Sequence, residues 1–431
     1  MKASRYNFFF KEEGLLFNAV SCGFAKIQPS QAEVIKKILD NPCPNIMAEV
    51  DPDTISKLIE GGFLLDDDFD EVALLRARYD LRRFSSNNFV LSILPTLDCN
   101  FDCIYCYEEK KKGKMGKSVV ELIKELVYSL EHLTRFGVIW YGGEPLLYPE
   151  IIFDLSSDFV KYCRAKNIQY SASMITNGYL LTRPLAKKLK EEAMLSLIQI
   201  TLDGPPEVHN KRRFLRDGKP TFSKVLSNLI DCADLFSFNV RINVDKDNAF
   251  SLPALLSILK QANLTDKISL SLGAVTPSTK HCQDYAQKCF QARAYAQFEI
   301  NALEQMAEVG FRTRFFPRPV EVPCMAVSPF NFVIDPEGHL YKCLEAVGEK
   351  EEIVGDLPSI DLLTNNLIKW LTYDPFSLSE CRECKIFPIC LGGCPRNQLR
   401  RNGGFNYNCQ TWRFFLKEML LREANLLAET R

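Results

Sequence analysis

Three cysteines stand on one short stretch after an apolar run, Cys99-Asn100-Phe101-Asp102-Cys103-Ile104-Tyr105-Cys106. Thiolates at x3 and x2 spacing can take three corners of a 4Fe-4S cube and leave its fourth iron open. An open iron is what chemistry on a small molecule requires, because a saturated cluster only passes electrons. A zinc knuckle and a chance set of buried thiols are the rival readings of the triad alone. A second field lies far downstream, with Cys324, Cys343, Cys381-x2-Cys384-x5-Cys390-x3-Cys394-Pro395 and Cys409. Two clusters need about eight ligands, and this field offers seven thiols. Cys22, Cys43, Cys163, Cys232, Cys282 and Cys289 are scattered singly and read as small buried hydrophobes.

The elements that must position these thiols follow from periodicity. Apolar runs at Phe89–Leu94, Val138–Tyr141, Gln169–Ile175, Leu197–Leu202, Asn239–Val244 and Ile268–Gly273 read as strands. Amphipathic segments near 117–134, 149–166, 182–194, 221–236 and 251–264 read as helices between them. Such alternation predicts an α/β fold, a partial (β/α)6 TIM-like barrel that binds ligands at the carboxyl ends of its strands. The triad follows the first run, and the second leads into Gly142-Gly143-Glu144-Pro145. There two glycines let backbone approach a ligand, and Glu144 can accept a hydrogen bond from an ammonium group. The third run ends in Thr176-Asn177-Gly178, and the fourth continues through Thr201, Asp203 and His209 to Arg212-Arg213. At the fifth, Arg241, Asn243 and Asp245 alternate onto one face, toward the barrel mouth. His209 reads as a hydrogen-bonding side chain rather than a ligand, and Lys110-Lys111-Lys112 as a solvated loop.

The triad with Tyr105 before its last cysteine, followed by Gly-Gly-Glu-Pro at the next strand end, resembles the radical S-adenosylmethionine (SAM) enzymes. The resemblance implies that Cys99, Cys103 and Cys106 hold a 4Fe-4S cluster whose open iron chelates SAM. It also implies that one electron splits SAM into methionine and a 5′-deoxyadenosyl radical, which takes hydrogen from a substrate carbon. Contacts to SAM are implied for Tyr105, Gly142, Gly143, Glu144, Asn177, Thr201 and Arg213. The downstream field resembles the SPASM extension of enzymes that act on peptides and proteins. By that resemblance Cys381, Cys384, Cys390 and Cys409 hold one auxiliary 4Fe-4S cluster, and Cys324, Cys343 and Cys394 another, for three clusters in all. Some relatives supply a further Cys shortly before Cys324, where this chain has Arg318 and Pro319. The second set is therefore one ligand short, and an open or substrate-ligated iron is expected there.

Residues 1–85 form a smaller expected unit. Short antiparallel strands turn at Glu12-Glu13-Gly14, a capping box at Ser30 and Glu33 opens a helix, and Asp51-Pro52 starts another that stops at Gly61-Gly62. Phe63–Leu65 reads as a wing and Glu71 to Arg83 as a connecting helix. This outline resembles the winged-helix domain that binds leader segments of ribosomally made peptides. Residues 1–80 carry nine Lys and Arg against fourteen Asp and Glu, a net of −5 that repels phosphate. Peptide capture at a strand edge and a purely structural cap are both compatible with the outline.

At 431 residues the chain exceeds a single core, and domains are expected at 1–85, 86–310 and 311–431. Hydrophobic residues at 46% and a net charge of −1 describe a soluble chain with no general pull on nucleic acid or anionic membrane. No apolar stretch reaches membrane-spanning length, and sixteen cysteines without a secretion signal point to a reducing, cytoplasmic setting. The expected function is radical SAM modification of a ribosomally synthesised precursor peptide that carries a leader, forming an intrapeptide thioether or carbon–carbon crosslink. A flavodoxin- or ferredoxin-type protein is the expected electron donor. An anaerobic sulfatase-maturing enzyme that makes formylglycine is the alternative, and an iron-sulfur electron carrier or zinc scaffold is the non-enzymatic one.

Overall fold

The computed structural model describes residues 1–277, 279–358, 364–400 and 409–429. Apolar alternation near the start gives β1 (Lys2–Ala3) and the antiparallel sheet of β2 (Asn7–Phe10), β3 (Leu15–Asn18) and β4 (Phe24–Lys26). Three helices follow: α1 (Ala32–Asp40), α2 (Pro44–Met47) and α3 (Pro52–Glu60). The wing expected at Phe63–Leu65 is β5 (Leu64–Leu65), which pairs back on β1, and α4 (Glu71–Arg83) leads out. Asp51 caps α3 through Thr54 N at 2.8 Å, and Asp70 caps α4. The expected capping box is not formed. Helix α1 starts at Ala32 without a side-chain cap, and Glu33 pairs with Lys11 beside the first turn instead.

The six apolar runs become parallel strands: β6 (Asn88–Ile93), β7 (Arg135–Trp140), β8 (Gln169–Thr176), β9 (Leu195–Thr201), β10 (Ser237–Val244) and β11 (Ile268–Ala274). Each pairs with its sequence neighbour, for example Ile93 with Trp140 and Asn243 with Gly273, and the β8–β9 register shifts once, between Ala172 and Ser173. Helices α5 (Lys117–Ser129), α6 (Pro149–Ala165), α7 (Arg183–Glu192), α8 (Pro206–Arg212), α9 (Phe222–Cys232) and α10 (Leu252–Gln261) make the crossovers, and α11 (Ala292–Val309) follows the last strand. Buried apolar residues at alternate strand positions, such as Phe238, Val240, Ile242 and Val244 of β10, belong to one continuous core.

The sheet does not end with the sixth strand. β12 (Asn331–Ile334) lies parallel to β6 and forms a hairpin with β13 (His339–Tyr341), which β14 (Gly355–Asp356) extends. The downstream region thus shares the barrel's sheet, in the order β11-β10-β9-β8-β7-β6-β12-β13-β14. Pairing with β12 satisfies the edge that β6 would otherwise expose. The front unit keeps a small core of Leu16, Ile35, Ile38, Leu58, Phe63 and Leu64, while Tyr6, Phe17 and Tyr79 belong to the main core. Among the described residues no helix is long and apolar enough to cross a membrane.

Candidate functional site

All six parallel strands end at one cavity of about 360 Å³ that opens to solvent. Cys99, Cys103 and Cys106 line it from the loop after β6. Gly142 and Gly143 come from β7, Thr176 and Asn177 from β8, Gln199 and Thr201 from β9, Arg241 and Asn243 from β10, and Ala274 to Thr276 from β11. The volume falls within the several hundred Å³ typical of small-molecule sites. The sequence names residues at five of these six strand ends, which converge wherever a parallel sheet curls. Asp245 departs from expectation: it is absent from this lining and instead binds Arg212 and Tyr285, each at 2.6 Å from its Oδ2.

The cysteine loop is sewn down on two sides. Gly143 N donates to Thr96 O at 3.1 Å and Glu144 N to Asp98 O at 2.8 Å. A Cβ on Gly142 would lie 2.4 Å from Thr96 O, and one on Gly143 only 2.1 Å from Asp98 O. These glycines therefore admit the cysteine loop as well as lining the cavity. On the other side Asp102 N donates to Phe214 O at 2.8 Å and Ile104 N to Arg212 O at 3.1 Å. Sequence spacing carries no signal for that pairing, which spans more than a hundred positions. Gly143→Ala is expected to destabilise the fold by about 1–3 kcal/mol, as overpacking does. It should also lower iron uptake on anaerobic reconstitution, measured against Gly116→Ala, whose methyl would meet only Ser118 Oγ at 3.8 Å.

Glu144 stands behind the wall rather than in it. It is fully buried, and its carboxylate accepts from Leu146 N at 3.0 Å, Thr176 Oγ1 at 2.7 Å and Asn177 N at 2.8 Å. Burial raises its pKa against the pull of these donors. The carboxylate thus locks the ends of β7 and β8 together. Asn177 faces the loop, donating to Asn100 Oδ1 at 2.7 Å and toward Cys99 Sγ at 3.8 Å. Buried Arg213 donates to Tyr105 Oη at 2.9 Å, and the Tyr105 hydroxyl donates to Asp203. Burial raises the Cys103 thiol pKa while Arg213 opposes it, and burial pushes Cys106 up to about 12. Thiols so buried need a cation to become thiolates, which suits metal ligation. His209 is a buried structural residue, its Nδ1 accepting from Asp203 N at 3.2 Å, as expected.

Three lining groups were not singled out from the sequence. Tyr107 and Tyr141 share a hydroxyl–hydroxyl contact, and Glu108 beside them keeps one buried carboxylate oxygen without a partner among the described residues. Their only sequence signal is adjacency, of Tyr107 and Glu108 to Cys106 and of Tyr141 to Gly142. Burial pushes the Glu108 carboxyl up to about 7 despite Tyr141's hydrogen bond. The folded chain therefore holds a proton that the unfolded chain releases, so stability falls as pH rises from about 4.5 toward 7 and then levels off. In reduced, cluster-free protein, Glu108→Gln is expected to remove this slope and gain up to about 3 kcal/mol above pH 7, read from urea unfolding at several pH values. Lys110 corrects the solvated-loop reading: it lines the cavity and pairs with Asp102 at 2.5 Å, with only 18% of its side chain exposed.

The thiols of the second cysteine field lie in two places. Cys381, Cys384, Cys390 and Cys409 border one small cavity of about 30 Å³. Cys324 lies within the electrostatic reach of both Cys394 and Cys343. Arg396 holds that second group by donating to Glu345 Oε2 and Glu345 O, each at 2.9 Å. Leu344 and Glu345, immediately after Cys343, also line the large cavity, so this field borders the cysteine-loop site. Cys289 packs with Val275, Tyr285 and Tyr105 inside the barrel, and Cys282 hydrogen-bonds Thr276 O and Thr279 O. Among the described residues no three His, Cys, Asp or Glu side chains are drawn together closely enough for a single metal ion.

The front unit rests on this second field. Arg5 pairs with Glu383 at 2.8 Å, Lys385 Nζ donates to Asn7 O at 3.1 Å, and Tyr79 Oη donates to Tyr373 O at 3.0 Å. Phe17 and Phe24 both meet the Phe316 ring edge-on.

Residues 93–248 match the family described as the Radical SAM superfamily. A cysteine-type anaerobic sulfatase-maturating enzyme of Clostridium perfringens is 25% identical over 362 residues, covering 76% of this chain and 95% of that protein. The structure of anSMEcpe with bound AdoMet superposes with a TM-score of 0.64 at 22% identity, covering 79% of this chain and all of that one. Streptococcus suis SuiB bound to precursor peptide SuiA gives 0.52 at 13% identity, covering 95% and 99%. At these identities the two structural likenesses are likenesses of fold.

Proposed function

We propose that this chain, which carries a radical SAM domain at residues 93–248, is an enzyme that removes hydrogen from a residue of a peptide or protein substrate. The observation that carries the proposal is the convergence of Cys99, Cys103 and Cys106 with all six strand ends on one cavity. Bound there, a 4Fe-4S cluster and SAM would supply one-electron cleavage to a 5′-deoxyadenosyl radical. The three thiols would hold the cluster, and the buried charge of Arg213 would favour the Cys103 thiolate. Gly142, Gly143, Asn177 and Thr201 form the wall against which SAM would lie, Tyr105 and Arg213 brace it, and Glu144 holds two strand ends in place. Two further clusters fit the downstream thiols, in the sets Cys381, Cys384, Cys390, Cys409 and Cys324, Cys343, Cys394.

The relatives reorder the two substrate readings. Oxidation of a Cys or Ser side chain to formylglycine takes first place, because the C. perfringens relative carries that type of name across most of both chains. Crosslinking of a precursor peptide takes second place, favoured by the front unit: the SuiB fold spans 95% of this chain, whereas that of anSMEcpe spans 79%. In that reading the outer edge of β4, which lacks a strand partner among the described residues, would receive a leader.

The test is anaerobic reconstitution with iron and sulfide, followed by SAM and dithionite. Formation of 5′-deoxyadenosine above that of the Cys99/Cys103/Cys106→Ala protein supports the enzyme, and none refutes it. Co-expression with proteins from neighbouring reading frames separates the substrates: a hydrazide-reactive aldehyde on a sulfatase selects the first, and loss of a free thiol with hydrogen loss in a short Cys-rich peptide selects the second.

A further inference from the structure

The cavity bordered by Cys381, Cys384, Cys390 and Cys409 is otherwise apolar or amide-lined, and Arg413 is its one charged residue among those described. Arg413 sits in the first turn of the helix Trp412–Glu429. Its Nη1 points at Cys384 Sγ, 3.8 Å away, and its guanidinium also hydrogen-bonds Cys409. Its field reaches Cys381 as well. The backbone that presents it is pinned, since the Thr411 hydroxyl donates to Glu299 on α11. One guanidinium therefore addresses three of the four thiols from a fixed position.

A cluster on four thiolates carries net negative charge, and reduction adds another electron to it. A neighbouring cation and N–H···S hydrogen bonds stabilise the reduced form more than the oxidised one, which raises the potential. Arg suits the task because its charge is permanent and its planar fork can reach two sulfurs together. We propose that Arg413 raises the reduction potential of the cluster held by Cys381, Cys384, Cys390 and Cys409. This rests on the cluster reading of those four thiols given above. Arg413 touches the ligands rather than a substrate and acts as a tuning residue. Its side chain is exposed on its outer face, so water screens part of the effect.

The experiment is a dithionite titration followed by electron paramagnetic resonance on the reconstituted full-length protein. Wild type, Arg413→Gln and Arg413→Lys are compared at equal iron and sulfide content. In the Gln variant one auxiliary signal should move to more negative potential while the remaining signals hold their places, and the Lys variant should fall between. An unmoved signal at full loading overturns the proposal. So does a Gln variant that fails to load iron, because Arg413 would then serve assembly rather than tuning. A joint Cys381→Ala and Cys384→Ala replacement that leaves the iron content unchanged would instead refute the cluster reading itself, a distinct outcome.

Discussion

Replacing Cys103 alone by Ala is expected to reduce 5′-deoxyadenosine formation by more than about 100-fold, because changes one shell further out already cost metal sites roughly 10–100-fold. The measurement is chromatography of SAM products after anaerobic reconstitution with dithionite. Three thiols are the smallest set that leaves one iron open while fixing the other three, so no neighbour can substitute. Asn100 and Asp102 are already engaged, with Asn177 and Lys110 respectively. Cys103 also has the special position beside Arg213, whose charge opposes the effect of burial on its thiol. Arg213→Gln should therefore weaken iron binding at this site while leaving the auxiliary signals in place.

The second large effect concerns stability. Arg212→Ala is expected to cost about 3–5 kcal/mol, the usual price of stranding buried charge, as measured by urea unfolding of the reduced, cluster-free protein. Arg212 is only 4% exposed and lies between two carboxylates that are equally hidden. Its Nη1 donates to Asp245 Oδ2 at 2.6 Å and to Tyr285 Oη at 3.0 Å, and its Nε faces Asp203 at 3.5 Å. Asp203 in turn accepts from Asn243 N and the Tyr105 hydroxyl, so the loss would spread to the cavity wall. Arg212→Lys should recover only part of it, because a point charge cannot reach both acids as a planar fork does.

Much of the fold was legible because the signals were local. The strand expected at Gln169–Ile175 is β8 (Gln169–Thr176), and the helix expected after Asp51-Pro52 is α3 (Pro52–Glu60). Alternation, Pro at the first helical turn and terminal Gly act within one element. The Ser30 and Glu33 capping box failed because a distant cation, Lys11, competed for Glu33, and pattern alone does not weigh that competition. The Lys110 reading failed for a similar reason, since Asp102 draws the ammonium back over the cluster loop.

The sequence by itself determined the thiol spacings, the strand–helix alternation and the order of the strand ends, all of which follow from short-range geometry and the handedness of parallel crossovers. Only the tertiary structure decided what those residues face. It turned Gly142 and Gly143 toward the cysteine loop, put Glu144 behind the wall and joined the downstream hairpin to β6. It also set Glu345 beside the strand-end cavity and Arg413 against the four-thiol cavity. These contacts join residues tens to hundreds of positions apart, and close packing selects them through excluded volume and the pairing of buried polar groups, quantities that no local period encodes.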